Sequence, residues 1–533
     1  MRLRIVRICV AAALLAGAQA RAQDEASAFV PSSQCIACHS QVTAASGEDV
    51  SIGPHWRATI MANSARDPYW HAAVRREALD HPALQTDIED TCSTCHMPMA
   101  RFDAAAAGRK GQVFANIAAA APQHELAFDG VSCTVCHQIS AENLGSHASF
   151  DGGFVIETPS GGRVAFGPHD VDAGRQALMR SAATFKPSMS THIQQSELCA
   201  TCHTLFTTAR DDAGREIGTL PEQVPYQEWL HSDYRATNSC QSCHMPAVAA
   251  ESPITSVLGQ PRPNVSQHTF LGGNAFMLDI LRRYRGELGV KALPQELEAS
   301  AAATRAFLST RAATLSIAAP QRTAAGVELT VDVKSTTGHK LPTAYPSRRA
   351  WLHVVVRDAA GRAVFESGAV RPDGSIAGND NDADAQRFEP HHEVVTSQDE
   401  VQIYEAIMVD SRDALTTGLL NAVRFVKDNR LLPRGFDKRT AEPDFAVRGA
   451  AADDADFIGG ADRVRYRIPL AAGLSGPLTV EAELLYQSIS YRWAENLRAY
   501  DAEEAQRFGR YYAENAAASA AVIATAGATI PAR

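Results

Sequence analysis

The stretch Ser196-Glu197-Leu198-Cys199-Ala200-Thr201-Cys202-His203 sets two thiols three residues apart and follows the second at once with an imidazole. Four other segments repeat that order: Cys35-Cys38-His39, Cys92-Cys95-His96, Cys133-Cys136-His137 and Cys240-Cys243-His244. Ten of the 11 cysteines are spent on this one spacing, so its chemistry decides what the chain builds. Disulfide frameworks scatter their cysteines, and a zinc ribbon takes two C-x-x-C pairs per metal. Five pairs is an odd number, and neither use calls for a histidine after the second thiol. C-x-x-C-H is the attachment signature of c-type haem.

On a turn of helix, two thiols three residues apart face one edge of a porphyrin, and each adds to a vinyl group. The next side chain then brings its nitrogen to the iron. Cys35, Cys38, Cys92, Cys95, Cys133, Cys136, Cys199, Cys202, Cys240 and Cys243 are therefore the expected anchors of five haem c groups. His39, His96, His137, His203 and His244 are the expected proximal ligands.

The opposite face of each iron needs a ligand too. Nine further histidines lie between Asp24 and Gly273, against four in the rest of the chain, so the enrichment sits where the motifs sit. Local context selects His81, His124, His192 and His268 as candidate distal ligands, together with Met61, whose thioether also binds haem iron. His81, His124 and His192 each precede a motif and would serve a neighbouring haem. His268 follows the last motif among polar and glycine residues. His55 and His71 compete with Met61, and His147, His169 and His231 rank lower. In the second half, His339 in GHKLPTAYPSRRAW reads first as a turn imidazole and second as a ligand reaching a haem across a domain boundary.

MRLRIVRICVAAALLAGAQARAQ has early arginines, a short apolar run and small residues, the order of a secretory signal peptide over residues 1–22. The run is well short of the roughly 20 residues a membrane span needs. No later segment is long and apolar enough, so no membrane span is expected in the mature chain. Losing Arg2, Arg4, Arg7 and Arg21 takes the formal charge from −10 to −14. An acidic surface argues against nucleic-acid binding and suits a basic partner.

CHMP at His96 and His244, CHQI at His137 and CHTL at His203, with the five C-x-x-C-H units, resemble the multihaem c-type cytochromes of the cytochrome c-552/4 group. That group includes the tetrahaem cytochromes of ammonia-oxidising bacteria; the chain departs from them in having five motifs. The resemblance covers about Pro31 to Gly273. It implies a mostly helical, loop-rich domain with stacked haem pairs, mostly bis-histidine ligation and a role in electron transfer.

The motifs begin 57, 41, 66 and 41 residues apart, which hints that units two and three, and four and five, repeat a theme. Asp67 as N-cap and Pro68 at the first turn open a helix through Trp70, Ala73 and Ala78. From Asn274 the texture changes: helical spacing to about 313, then short alternating strands such as GVELTVDVKS and AWLHVVVRD. The expected class is an α+β multidomain chain. A pentahaem cytochrome c domain at 23–273 precedes a helical connector at 274–313 and an immunoglobulin-like β-sandwich at 314–490. A C-terminal helix and tail occupy 491–533, the helix running from about Tyr491 to Ala526. Asp380, Asp382, Asp384 and Glu389 resemble part of a calcium loop, but without its glycine and its closing glutamate they read as a solvated acidic loop.

These features point to an exported, periplasmic electron carrier working between redox partner proteins. The alternative is a multihaem oxidoreductase with one open-coordination haem acting on a small nitrogen or sulfur compound.

Overall fold

The computed structural model describes residues 27–157, 162–211, 213–471 and 474–532; the expected signal peptide lies outside them. No helix among these residues is long and apolar enough to cross a membrane.

In the motif-bearing half the helices are short and follow local capping signals. Asp67 accepts from the amides of Tyr69 (2.8 Å) and Trp70 (3.2 Å), and with Pro68 opens the helix Pro68–Asp80. The helix Gln85–His96 carries the second motif, and Ser32–Ile36, Cys133–Cys136, Ser196–Ala200 and Cys240–His244 carry the others. In three of them the histidine amide donates to the carbonyl of the first cysteine at 3.0 Å, closing the helical turn that puts thiols and imidazole on one side. The sheet content is minor: β1 (Arg163–Gly167) pairs in parallel with β2 (Phe185–Met189), and β3 (Leu205–Arg210) with β4 (Glu216–Gln223) forms a hairpin.

Helices Ala275–Arg283 and Pro294–Arg311 lead into the strand-rich half. One sheet has the order β5 (Ala313–Arg322), β6 (Gly326–Ser335), β13 (Ala461–Pro469), β9 (Val394–Val395). The other, seven-stranded, is built on β7 (Arg349–Arg357), flanked by β14 (Leu478–Gln487) and β10 (Ile403–Val409). β8 (Ala363–Ser367) pairs with β7, while β11 (Leu415–Thr416) and β12 (Arg424–Asp428) pair with β10. Alternation buries Leu329, Val331 and Val333 of β6 against Val354, Val480 and Leu484 of the other sheet, in one shared core. Each inward aliphatic side chain contributes about 1.5–3 kcal/mol. On the outer side of β7, loops cover Trp351, which meets Ile376 and Val401.

The chain end departs from expectation. Instead of one helix to Ala526, Tyr491–Leu497 and Glu503–Asn515 form two helices, and Ala520–Ile530 is a strand, β15, antiparallel to β14. The alanines of that segment suit a helix, but the interleaved Val522, Ile523, Thr525 and Thr529 are β-branched, and an open sheet edge on β14 pairs their backbone. The two helices pack back on the motif-bearing half, with Phe508 against Tyr69 at 5.1 Å and Arg75 bonded to Glu504 at 2.9 Å.

The acidic loop is internally matched. Arg349 grips both oxygens of Asp382 at 2.8 and 2.9 Å, Arg387 reaches Asp380 at 2.6 Å, and Glu389 meets His392 at 2.6 Å. A second cluster, His391 with Asp454 and Asp462, is buried and compact enough for a metal ion. The amides of Gln402 (2.7 Å) and Asn429 (3.0 Å) both donate to His391 Nδ1, so Nε2 carries the proton it gives Asp454 at 3.0 Å. That imidazole has no lone pair left for a cation.

Candidate functional site

A branched cavity of about 1820 Å³ runs through the motif-bearing half and reaches the strand-rich half. All ten motif cysteines and all five motif histidines line it, as do Met61, His169, His268 and His339. The cysteines described are free thiols. The apolar clusters around it are small, such as Met99, Val135, Ile139 and Leu198 on one side and Val42, Val50 and Val265 on another.

Thiols of different motifs meet in this cavity. A hydrogen bond between Cys35 and Cys133 pulls the first thiol below its ordinary pKa and pushes the second well above it. The same contact joins Cys95 to Cys202, and Cys199 to Cys240, which falls to about 7. Cys136 lies close enough to the fourth motif that the charge of Cys202 raises its pKa and its own charge raises that of Cys199. Motif one thus abuts motif three, and motif four abuts motifs two, three and five, a junction that the pairwise gap pattern does not convey. If the chain is made without haem under oxidising conditions, we expect these three touching pairs to crosslink. Peptide mapping checks this, and crosslinks confined within each C-x-x-C unit would refute the adjacency.

Burial first, then carbonyl contacts, set the state of the imidazoles. Nδ1 of His39 bonds the carbonyl of Ile254 (2.7 Å), that of His96 Ser64 (3.3 Å), and that of His137 Phe166 (2.5 Å). His244 Nδ1 bonds the carbonyl of Leu271. These bonds place the proton on Nδ1 and leave Nε2 as the metal-binding nitrogen. Removal from water lowers all five pKa values, to about 4 for His96 and His203, so the rings are neutral as a metal ligand must be. His203 opens onto the cavity rather than bulk solvent, with His244 and Arg348 nearby. The Trp70 indole lies flat on His96, with centroids 4.4 Å apart.

Two motif histidines face a second imidazole. His137 and His268 have ring centroids 6.3 Å apart at 17°, and His244 and His339 6.1 Å apart at 11°. These gaps are too wide for stacked rings in contact. Two metal–nitrogen bonds of about 2 Å, with an imidazole radius of roughly 1.1 Å at each end, span about 6.3 Å. The rings therefore stand where a shared metal fits between them. The described ring contacts bring no second imidazole to His39, His96 or His203.

The other candidates lie elsewhere. His192 has both nitrogens engaged, by Ser190 at 2.6 Å and the Ile139 carbonyl at 2.8 Å. His124 gives Nδ1 to the Asn116 carbonyl (2.9 Å) and stacks on Phe128. His81 caps the helix Pro68–Asp80 and buries an Nε2 that lacks a partner among the described residues. None of these three lines the cavity. Met61 does, while its carbonyl accepts from Val131 at 3.0 Å. His339 is the residue that sequence reasoning undervalued, because its loop is more than ninety positions from the motif it meets.

No protein-family model matches the chain, and neither does any curated protein. Among solved structures its fold is shared by a penta-heme cytochrome c552 from Thermochromatium tepidum, with TM-score 0.52 over 94% of this chain and 99% of that one, at 15% identity. The likeness is one of fold.

Proposed function

We propose that the chain is an exported pentahaem c-type cytochrome that moves electrons through covalently bound haems between redox partners in the periplasm. The observation that carries this reading is the single cavity walled by all five motifs, with thiols of different motifs in contact. The shared fold supports it, and the motif texture resembles that of the cytochrome c-552/4 group. The ten thiols would anchor the porphyrins and the five motif imidazoles would hold the irons. Haem supplies an iron that takes up and releases single electrons, with a potential set by axial ligands and burial. The chain's own part would be to hold the five groups close to one another within one cavity. In this proposal the strand-rich half, read as an immunoglobulin-like sandwich, braces the haem domain and offers a docking face. The signal peptide at 1–22 would deliver the chain. Mature protein from a cytochrome-maturing host should carry five haems; a colourless product without a Soret band ends the reading.

His268 would be the distal ligand opposite His137. We expect His268→Ala to keep five haems and convert one from low to high spin, measured by electron paramagnetic resonance; an unchanged low-spin spectrum removes His268 from the ligand set.

A second reading, an oxidoreductase acting on a small nitrogen or sulfur compound, draws on one observation. Glu222 is a cavity-wall carboxyl whose pKa burial raises to about 7, near Cys92, and it would serve as a proton source beside an open iron position. Cyanide or nitric oxide binding by the wild-type protein would favour it over the carrier.

A further inference from the structure

We infer that His339, on the loop between β6 and β7, is the sixth ligand of the iron held by His244, so that the strand-rich half completes the fifth haem site. This rests on the haem reading above. The two rings stand 6.1 Å apart and within 11° of parallel, the span of a metal bonded to both. His339 Nδ1 bonds the carbonyl of Lys340 at 2.9 Å, and His244 Nδ1 that of Leu271, so in each ring Nε2 is the nitrogen with a free lone pair. Both residues line the cavity.

A turn imidazole would need nothing more, but this loop is held far more tightly than a turn requires. Lys340 is fully buried, with Nζ 2.7 Å from Asp428 Oδ2. Its amide donates to Glu228 Oε2 at 3.1 Å, and the Thr343 hydroxyl donates to the same oxygen at 2.5 Å. Arg430 pairs with Glu228 at 3.1 Å and with Asp428 at 2.8 Å. Glu228 belongs to the helix Pro225–Leu230 of the motif-bearing half, whereas Asp428 ends β12. Four buried charges thus clamp the loop from both halves, next to the residue that must not drift. Ligand placement to within a fraction of an ångström needs such support.

The test uses the haem-loaded full chain. His339→Ala is expected to retain five haems by pyridine haemochrome, to turn one of the five high spin, and to return it to low spin on adding imidazole. If His339→Ala does not accumulate, His339→Met is expected to keep all haems low spin while one midpoint potential rises. Five retained haems with unchanged spin states in the alanine variant, or unchanged potentials in the methionine variant, overturn this assignment alone. A wild-type chain without covalent haem overturns it together with the reading beneath it.

Discussion

Replacing both Cys199 and Cys202 with alanine is expected to lower the haem-to-protein ratio from five to four and to slow electron passage between the remaining groups by at least an order of magnitude. The first effect follows from chemistry alone: without thiols on that turn nothing holds the porphyrin covalently. The second follows from position. Cys202 touches Cys95, Cys199 touches Cys240, and Cys136 lies close to Cys202, so the fourth motif joins the second, third and fifth. The matching double variant at Cys35 and Cys38 should remove a haem at the edge, where among the described cysteines only Cys133 adjoins, and its effect on transfer among the others should be slight. Haemochrome assay reads the count, and stopped-flow reduction reads the passage. An unchanged haem count contradicts the attachment assignment, and equal kinetics in the two variants contradict the junction.

Asp428→Ala is expected to destabilise the protein at pH 7 by about 3–5 kcal/mol, because removing one member of a buried charge network strands the others. Lys340 is 0% exposed and would keep no carboxylate within bonding distance, since Arg430 retains Glu228. Burial by itself would raise the Asp428 pKa, but Arg430 and Lys340 outweigh it and hold the carboxyl well below the usual range. The folded-state pKa is therefore the lower one. The stabilisation is complete above the unfolded value of about 4 and is lost as pH falls through the folded one. Denaturant midpoints of wild type and variant should differ most at pH 6–7 and converge on acidification. A constant gap down to pH 2, or no gap at neutrality, would count against the clamp.

Much of the site is written in local spacing. A C-x-x-C-H unit needs only one helical turn, so the sequence carries it whole, and Asp67-Pro68 announces its helix for the same reason. Strand alternation such as that of β6 and β13 is equally local. What spacing cannot convey is which distant element faces which. His192 and His124 are near a motif in sequence, yet neither lines the cavity, and both nitrogens of His192 are engaged. His339 looked like a turn residue, and only the docking of two halves brings it to His244. Ala520–Ile530 misleads in the opposite sense, since its alanines suit a helix until β14 offers an edge.

The scant aliphatic packing around the large cavity has a consequence for biogenesis. The strand-rich half has an interior of its own, built mainly of valines and leucines from its two sheets. Apart from the cluster it shares with the helices that pack on it, the described motif-bearing half has only small apolar clusters, and on the proposed haem reading it would draw much of its cohesion from the groups it anchors. On that reading the groups would be attached while the polypeptide is still extended and its thiols are within reach. Attachment and folding would then be coupled, because a group held by the folded state alone stabilises that state.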